Sequence, residues 1–117
     1  MYLKKLSLIN FKNIREENLE FRPGINCFVG DNGAGKTNVI DAVYFLSMCK
    51  SSLAMTDGQS MRHGSDFFLL DGQYLTDGGR SESVVCAFAR KGGKTLKRNG
   101  KEYERLSDHV GLIPVVI

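Results

Sequence analysis

Cysteine is scarce in this chain of 117 residues, which contains only three. Cys27, Cys49 and Cys86 share no C-x-x-C spacing and are odd in number, so the sequence indicates neither a zinc site nor a disulfide framework. Each of them lies within an apolar segment. We therefore expect buried free thiols in a cytoplasmic protein.

Long apolar runs are absent as well. No stretch approaches the roughly 18 residues that a membrane span needs, and the opening MYLKKLSLINF has no apolar stretch that ends in a cleavage site. The sequence therefore predicts neither a membrane span nor a signal peptide. With 42% hydrophobic and 25% charged residues, the chain has enough apolar content for the core of one soluble domain.

Positive charge is concentrated in one segment. The whole chain has a formal net charge of +3, but residues 90–105 carry seven basic side chains against two acidic ones, a local charge of +5. A local concentration of positive charge indicates an anionic partner better than the total does. Lys94, Lys97 and Lys101 are the candidates for contact with DNA phosphates, although strand alternation places only about half of these side chains on one face. The alternative is a solvated hairpin whose charges protect its edge.

The first half of the chain contains strand and helix patterns. Residues 2–11 alternate leucines with polar residues, which is typical of a half-exposed strand, and residues 17–21 indicate a second strand before a Pro-Gly turn. Ile25–Val29 is short, apolar and β-prone, as expected of a strand that is buried on both faces. Apolar residues then recur at helical spacing and predict a helix over about 35–49. The polar stretch 50–66 predicts a loop with one helical turn.

The second half has a different pattern. Four β-like runs between residues 67 and 105 are separated by TDGG, GG and NG, which are hairpin signals because glycine tolerates a positive φ. We predict an antiparallel meander there, and a further buried strand in LIPVVI at the end. Because the chain stops while it is still apolar, with one predicted helix to cover a sheet, we expect it to be the N-terminal piece of a longer protein.

A glycine-rich loop precedes the predicted helix. GDNGAGKT fits the pattern G-x-x-x-x-G-K-[ST], in which glycines let successive N–H groups point at one anion and the helix start adds its positive dipole end. In such a loop the lysine reaches the β- and γ-phosphates of a nucleotide, and the threonine hydroxyl is a ligand of Mg²⁺. The alternative is an ordinary glycine turn before a helix. The residues predicted to hold phosphate are Gly30, Asp31, Asn32, Gly33, Ala34, Gly35, Lys36 and Thr37, with Thr37 as the Mg²⁺ ligand.

A second acidic ligand for Mg²⁺ is missing from the pattern. Phosphoryl transfer needs a carboxylate at the end of another strand, and FFLLD, which ends at Asp71, is the nearest match. Gly72 and the meander follow at once, and aspartate before glycine is typical of a turn. We therefore interpret Asp71 as a turn residue, and we assign no catalytic residue in this chain.

The loop and its flanks resemble a known family. FVGDNGAGKTNVIDAVYFLS is similar to the loop of the SMC-like branch of the ABC-type ATPases, and LKKLSLINFKNI resembles the first strand of that branch and the phenylalanine-basic turn after it. SMRHGSDFFLLDGQY and LIPVVI resemble segments of the RecF family within this branch. The resemblance implies the α/β fold of a P-loop NTPase, the first lobe of an ABC-type head with an antiparallel β-meander. Its nucleotide-binding core would be 1–66, followed by a β-subdomain and the start of the next core strand at 67–117.

The resemblance also implies ligands and partners. Family members bind ATP and Mg²⁺, bind DNA at junctions of single-stranded and double-stranded DNA, and act with the RecO and RecR proteins to load recombinase on gapped DNA. Their Q-loop, signature motif, Walker B acids and switch histidine would lie beyond Ile117, so ATP-dependent homodimers and slow ATP hydrolysis would require that part. Lys12 and Asn13 resemble positions that approach the nucleotide, and the alternative is a solvated turn. Asn32 and Asn38 belong to the loop motif.

Other functions remain open at this point. A small-molecule P-loop kinase or GTPase would carry the same loop, but its sheet alternates strand and helix rather than forming a meander. The head of an ABC transporter and an interaction module with an empty loop are the further alternatives. His63 and His109 lie near no recognisable nucleophile or metal cluster and are interpreted as structural.

Overall fold

The structure is a computed structural model that describes residues 2–12, 14–20, 33–50, 56–76 and 78–103. Within these residues the chain forms six strands and two helices. They are β1 (Tyr2–Phe11), β2 (Ile14–Glu20), α1 (Gly33–Met48), α2 (Asp57–Ser60), β3 (Phe67–Leu75), β4 (Ser81–Ala89), β5 (Gly93–Arg98) and β6 (Lys101–Glu102).

The elements agree with most of the predicted ones. The strand at 2–11, the helix near 35–49 and the single helical turn before residue 66 are confirmed as β1, α1 and α2. The second strand begins earlier than predicted, at Ile14. The predicted strands at Ile25–Val29 and in LIPVVI lie outside the described residues.

All six strands belong to one antiparallel sheet in the order β2-β1-β3-β4-β5-β6. β3 to β6 follow chain order, so the predicted meander is confirmed. β1 pairs with β2 on one side and with β3 on the other, which places the first strand of the chain beside the strand at 67–75. The sheet therefore includes residues from both sides of position 66, and the division into 1–66 and 67–117 stays a prediction.

A β-bulge gives β1 its buried face. Leu3 and Leu6 are three positions apart, an odd separation that would place them on opposite faces of a regular strand. The register with β3 shifts between Leu3 and Lys5, and this irregularity lets both leucines reach the core, where they are at most 1% exposed. Leu8 follows Leu6 on the same face and is fully buried.

Helix α1 packs against one face of the sheet through aromatic side chains. Phe45 of α1 meets Phe11 of β1 and Phe68 of β3 edge to face, with ring centroids 6.1 and 5.5 Å apart, and Phe11 and Phe68 are 5.4 Å apart. Phe88 of β4 stacks on Phe68 at 5.6 Å. Such pairs add about 0.5–1.5 kcal/mol each beyond the area that they bury. Four elements, β1, α1, β3 and β4, are thus joined at one point of the core.

The glycine signals identify real turns. Asn99 and Gly100 both have positive φ, 55° and 80°, as a two-residue type I′ turn between β5 and β6 requires. Between β3 and β4, Gly79 has a φ of 82°, and the Thr76 hydroxyl accepts a hydrogen bond from the Arg80 N–H at 3.0 Å. These local signals therefore predict the hairpins correctly.

The interpretation of Asp71 as a turn residue is wrong, because Asp71 and Gly72 both lie inside β3. Gly72 is required by packing: a Cβ at this position would lie 2.8 Å from Leu46 Cδ1 and 3.0 Å from Tyr74 Cε1. Asp71 lies on the opposite face, where its Oδ1 accepts a hydrogen bond from Gln73 Nε2 at 2.8 Å. The glycine therefore reflects the close approach of α1 to the sheet.

Two of the three thiols can be placed. Cys49, just after α1, and Cys86, in β4, are both buried, as predicted, and Cys27 lies outside the described residues. Of the helices that the structure describes, none has the length and apolar character to cross a membrane.

Tyr74 buries a hydroxyl that has no hydrogen-bond partner among the described residues. Since an unsatisfied buried hydroxyl costs about 1–3 kcal/mol, we expect Tyr74→Phe to raise the free energy of unfolding by about 1 kcal/mol at pH 7. Burial also raises the pKa of this hydroxyl above its ordinary value. The unfolded chain releases that proton near pH 10 while the folded chain retains it, so stability is lost as the pH rises beyond about 10.

Urea unfolding of both proteins at pH 7 and at pH 10.5 measures this effect. The advantage of Tyr74→Phe should be larger at the higher pH, because the variant has no hydroxyl to titrate at this position. A variant that is less stable than the original protein at both pH values would show that the hydroxyl is satisfied.

Candidate functional site

Helix α1 begins inside the phosphate-loop motif. Its first residue is Gly33, and its first turn contains no acidic side chain. The unpaired N–H groups and the positive dipole end of a helix start attract an anion, and a carboxylate in this turn would oppose that. The start of α1 therefore presents no acidic side chain that would repel a phosphate group, whereas Gly30, Asp31 and Asn32 lie outside the described residues.

The predicted site residues fall into three groups. The side chains of Ala34, Lys36 and Thr37 lie outside the description, so the assignment of phosphate and Mg²⁺ contacts to them stays a prediction, and so does that of Asn13. Asn38, the residue after Thr37, lies in α1 and is half-buried. Lys12 is described in full.

The Lys12 ammonium lies inside the protein beside an acidic residue of α1. Its Nζ is 2.6 Å from Asp41 Oδ2, and the two side chains are only 7% and 1% exposed. The same Nζ lies 5.6 Å from the centroid of the Phe11 ring. Asp41 follows Thr37 by four residues, so the ion pair lies one helical turn beyond the loop motif.

The segment after α2 runs along the end of β1. A capping box fixes the start of α2: the Thr56 Oγ1 accepts from the Gln59 N–H at 3.1 Å, and the Gln59 Oε1 accepts from the Thr56 N–H at 2.9 Å. Met61 then forms a β-bridge with Phe11. Through this arrangement the sequence-distant segment 56–63 reaches the turn that carries Lys12.

A cleft opens where these segments meet. It has a volume of about 520 Å³ and is lined by Lys12, Gln59, Met61, Arg62 and His63. Because Lys12 is already paired with Asp41, Arg62 is the lining side chain that would favour an anionic ligand. The sequence offers Arg62 as a contact for nucleotide or DNA without any geometry, because the proximity of Arg62 and His63 to Lys12 depends on the pairing of β1 with the segment after α2.

The basic run contributes to two different surfaces. Lys97 and Lys101 are exposed at the β5–β6 edge of the sheet. Lys94 is half-buried instead: its Nζ donates to the Cys49 carbonyl oxygen at 2.5 Å and lies 5.3 Å from the Phe45 ring centroid. A cation beside the last carbonyls of a helix interacts favourably with the negative end of the helix dipole. Lys94 therefore caps α1, and strand alternation directs Lys97 to the other face.

Two acidic side chains outside the loop motif, Asp71 and Asp41, can be located in the structure. No group of three or more histidine, cysteine, aspartate or glutamate side chains in the described part of the chain could hold a metal ion. Asp71, on the outer face of β3, contacts Gln73. Asp41 was missed, although a signal for it existed: it is an acid within the apolar run VIDAVYFL, where a charge needs a partner.

Comparison with known proteins identifies the family. The AAA domain family matches residues 5–111. The DNA replication and repair protein RecF of Phocaeicola vulgatus is 52% identical over 117 residues, which are 100% of this chain and 32% of that protein. This chain thus spans about a third of the length of that relative.

Solved structures agree with this. The recombination mediator protein RecF-ATP in the RecFOR pathway superimposes with a TM-score of 0.82 at 27% identity, over 89% of this chain and 28% of that one. The SMC head domain from Thermotoga maritima gives a TM-score of 0.71 at 28% identity, over 92% and 40%. The predicted P-loop NTPase fold of an ATPase head is confirmed, and the chain belongs to the AAA domain family, in which it is similar to RecF proteins along its whole length.

Proposed function

We propose that this chain is the ATP-binding part of a RecF-like ATPase head that acts in DNA replication, repair and recombination. The observation that carries this proposal is that α1 begins at Gly33, inside the motif GDNGAGKT, in a fold shared with RecF-ATP. Gly30 to Thr37 would hold the phosphates, Lys36 would contact the β- and γ-phosphates, and Thr37 would bind Mg²⁺. Bound ATP would supply the phosphoryl group for slow hydrolysis.

The electrostatic arrangement around α1 supports an anionic ligand. The helix start carries no carboxylate, and the acid nearest to it among the residues with described side chains, Asp41, is paired with Lys12. Arg62 and His63 line the neighbouring cleft. The positive end of the α1 dipole and the Arg62 side chain would therefore both favour a highly charged ligand such as ATP.

Titration with nucleotide tests the proposal. We expect Mg²⁺-ATP at 100 times its dissociation constant to add about 2.7 kcal/mol to the stability of the protein, seen as a raised Tm. Lys36→Ala should remove most of this shift, because it deletes the cation that contacts the phosphates. Mg²⁺-GTP serves as the comparison, since a stronger response to GTP would favour the GTPase alternative.

The absence of any shift with either nucleotide would contradict the proposal and favour an interaction module with an empty loop. An equal shift in Lys36→Ala would place the nucleotide elsewhere.

We propose in addition that DNA is the partner and that Lys97 and Lys101 contact its phosphates. Both are exposed at the basic edge of the sheet, whereas Lys94 has its contact with the end of α1. RecO, RecR and an ATP-dependent second copy are the protein partners proposed from the RecF likeness.

Charge reversal tests the DNA contact. Lys97→Glu/Lys101→Glu should weaken binding to gapped DNA and lower the slope of log K against log[salt] by about 2, one for each lost phosphate contact. Lys4→Glu/Lys50→Glu, a change of equal charge at two exposed lysines elsewhere, is the control. Equal effects of the two variants would indicate that only total charge matters, and unchanged binding in both would exclude this edge.

A further inference from the structure

The Lys12–Asp41 ion pair needs an explanation other than stability. Both side chains are almost fully buried, at 7% and 1% exposure. Removing two charges from water costs several kcal/mol per ion, so a buried pair is often no more stabilising than two apolar side chains of similar volume. Such a pair can instead specify one geometry of the elements that it joins.

Hydrogen bonds to the segment that follows Gln59 hold the backbone at Lys12 and at Asn10. Its φ is 54°, a left-handed conformation that is uncommon for a residue with a long side chain. Its N–H donates to the Ser60 carbonyl at 2.6 Å, and the Asn10 carbonyl accepts from the Arg62 N–H at 2.7 Å. Strained backbone of this kind persists where surrounding contacts hold it, so the Cα of Lys12 is a fixed point.

The Asp41 side of the pair belongs to a helix whose buried side chains against the sheet are mostly apolar. Val39, Ala42, Val43 and Leu46 bury their side chains between α1 and the sheet. The free energy of apolar burial depends on the area buried and is non-directional. The ion pair adds a point contact, because its Coulomb energy weakens as the 2.6 Å separation of Lys12 Nζ and Asp41 Oδ2 increases.

We propose that Lys12 and Asp41 are positioning residues for the nucleotide. The ion pair fixes the rotation of α1 about its axis relative to the end of β1, at a point one turn beyond Thr37. The backbone N–H groups at 33–37 are thereby held in the orientation that a phosphate group requires. This inference rests on the proposed function and assigns a role within the same site.

Replacing both partners separates positioning from folding. Lys12→Met/Asp41→Leu substitutes apolar side chains of similar size and leaves no unpaired charge, so the variant is expected to fold with a Tm at or above that of the original protein. Its dissociation constant for Mg²⁺-ATP, measured with a fluorescent ATP analogue on the intact protein, should rise at least fivefold, the lower end of ordinary coupling between two sites. Lys5→Gln/Glu20→Gln, which removes an ion pair that is 54% and 79% exposed, is the matched control and should bind as the original does.

A second variant keeps both charges of the pair, and its Tm is measured beside its affinity to show that it folds. Asp41→Glu keeps both charges but lengthens the acidic side chain by one methylene, so it is expected to retain the pair, displace α1 and weaken Mg²⁺-ATP binding. Unchanged affinity in Asp41→Glu, or in a folded Lys12→Met/Asp41→Leu protein, would overturn the inference and leave the pair a structural contact. If the original protein binds no Mg²⁺-ATP, or Lys36→Ala binds it equally well, the proposed function itself fails, and this inference with it.

Discussion

Phe68→Ala is expected to lower the free energy of unfolding by about 3–5 kcal/mol, the usual cost of truncating a fully buried phenylalanine. The ring of Phe68 contacts the rings of Phe11, Phe45 and Phe88, so its removal leaves a cavity at the point where β1, α1, β3 and β4 meet. If one of these three rings moved into the cavity, the contacts of the other two rings would change.

Urea unfolding followed by circular dichroism measures this loss. The preceding residue is a matched control: Phe67 is 46% exposed, and Phe67→Ala should change stability by no more than about 0.5 kcal/mol. Similar losses in the two variants would mean that the aromatic cluster does not hold α1 to the sheet as described.

Gly72→Val is expected to destabilise the protein by about 3 kcal/mol, at the upper end of the usual cost of overpacking a core. The Cβ alone would lie 2.8 Å from Leu46 Cδ1 and 3.0 Å from Tyr74 Cε1, and the two methyl groups of valine need further space. Both neighbours are at most 1% exposed, so neither can move into solvent.

The same unfolding measurement applies to this variant, with Gly92→Val as the control. The nearest atom to a Cβ at Gly92 is Ala89 Cβ at 3.7 Å, an ordinary contact, so the control should stay within about 0.5 kcal/mol of the original. A Gly72→Val protein of unchanged stability would indicate that α1 can shift away from β3.

Much of the fold could be predicted because its signals are local. The hairpin turns depend on glycines with positive φ, such as Gly100, and α1 depends on apolar spacing after the loop. The β1–β3 pairing could not be predicted, since no pattern within either strand identifies its partner. The turn interpretation of Asp71-Gly72 failed for the same reason: the glycine is required by Leu46, a residue of α1.

The candidate site was predictable to a similar extent. The motif predicts the phosphate loop because four specified positions fall within eight consecutive residues. The pairing of Asp41 with Lys12 and the cleft at Arg62 and His63 depend on contacts between segments, so the sequence alone could not bring these residues together. Ile40 is a large apolar side chain of α1 that is 46% exposed, so apolar character alone does not identify the buried face of this helix.

The strand order also determines how the chain must fold. The β1–β2 hairpin and the β3–β6 meander can each form from neighbouring residues, but the pairing of β1 with β3 must close a loop that contains the phosphate loop and both helices. Long-range pairing of this kind is slow, because loop-closure entropy is lost before the contacts form. We therefore expect joining of β1 to β3 to limit the folding rate, and the edges of both strands to be available for aggregation until it is complete.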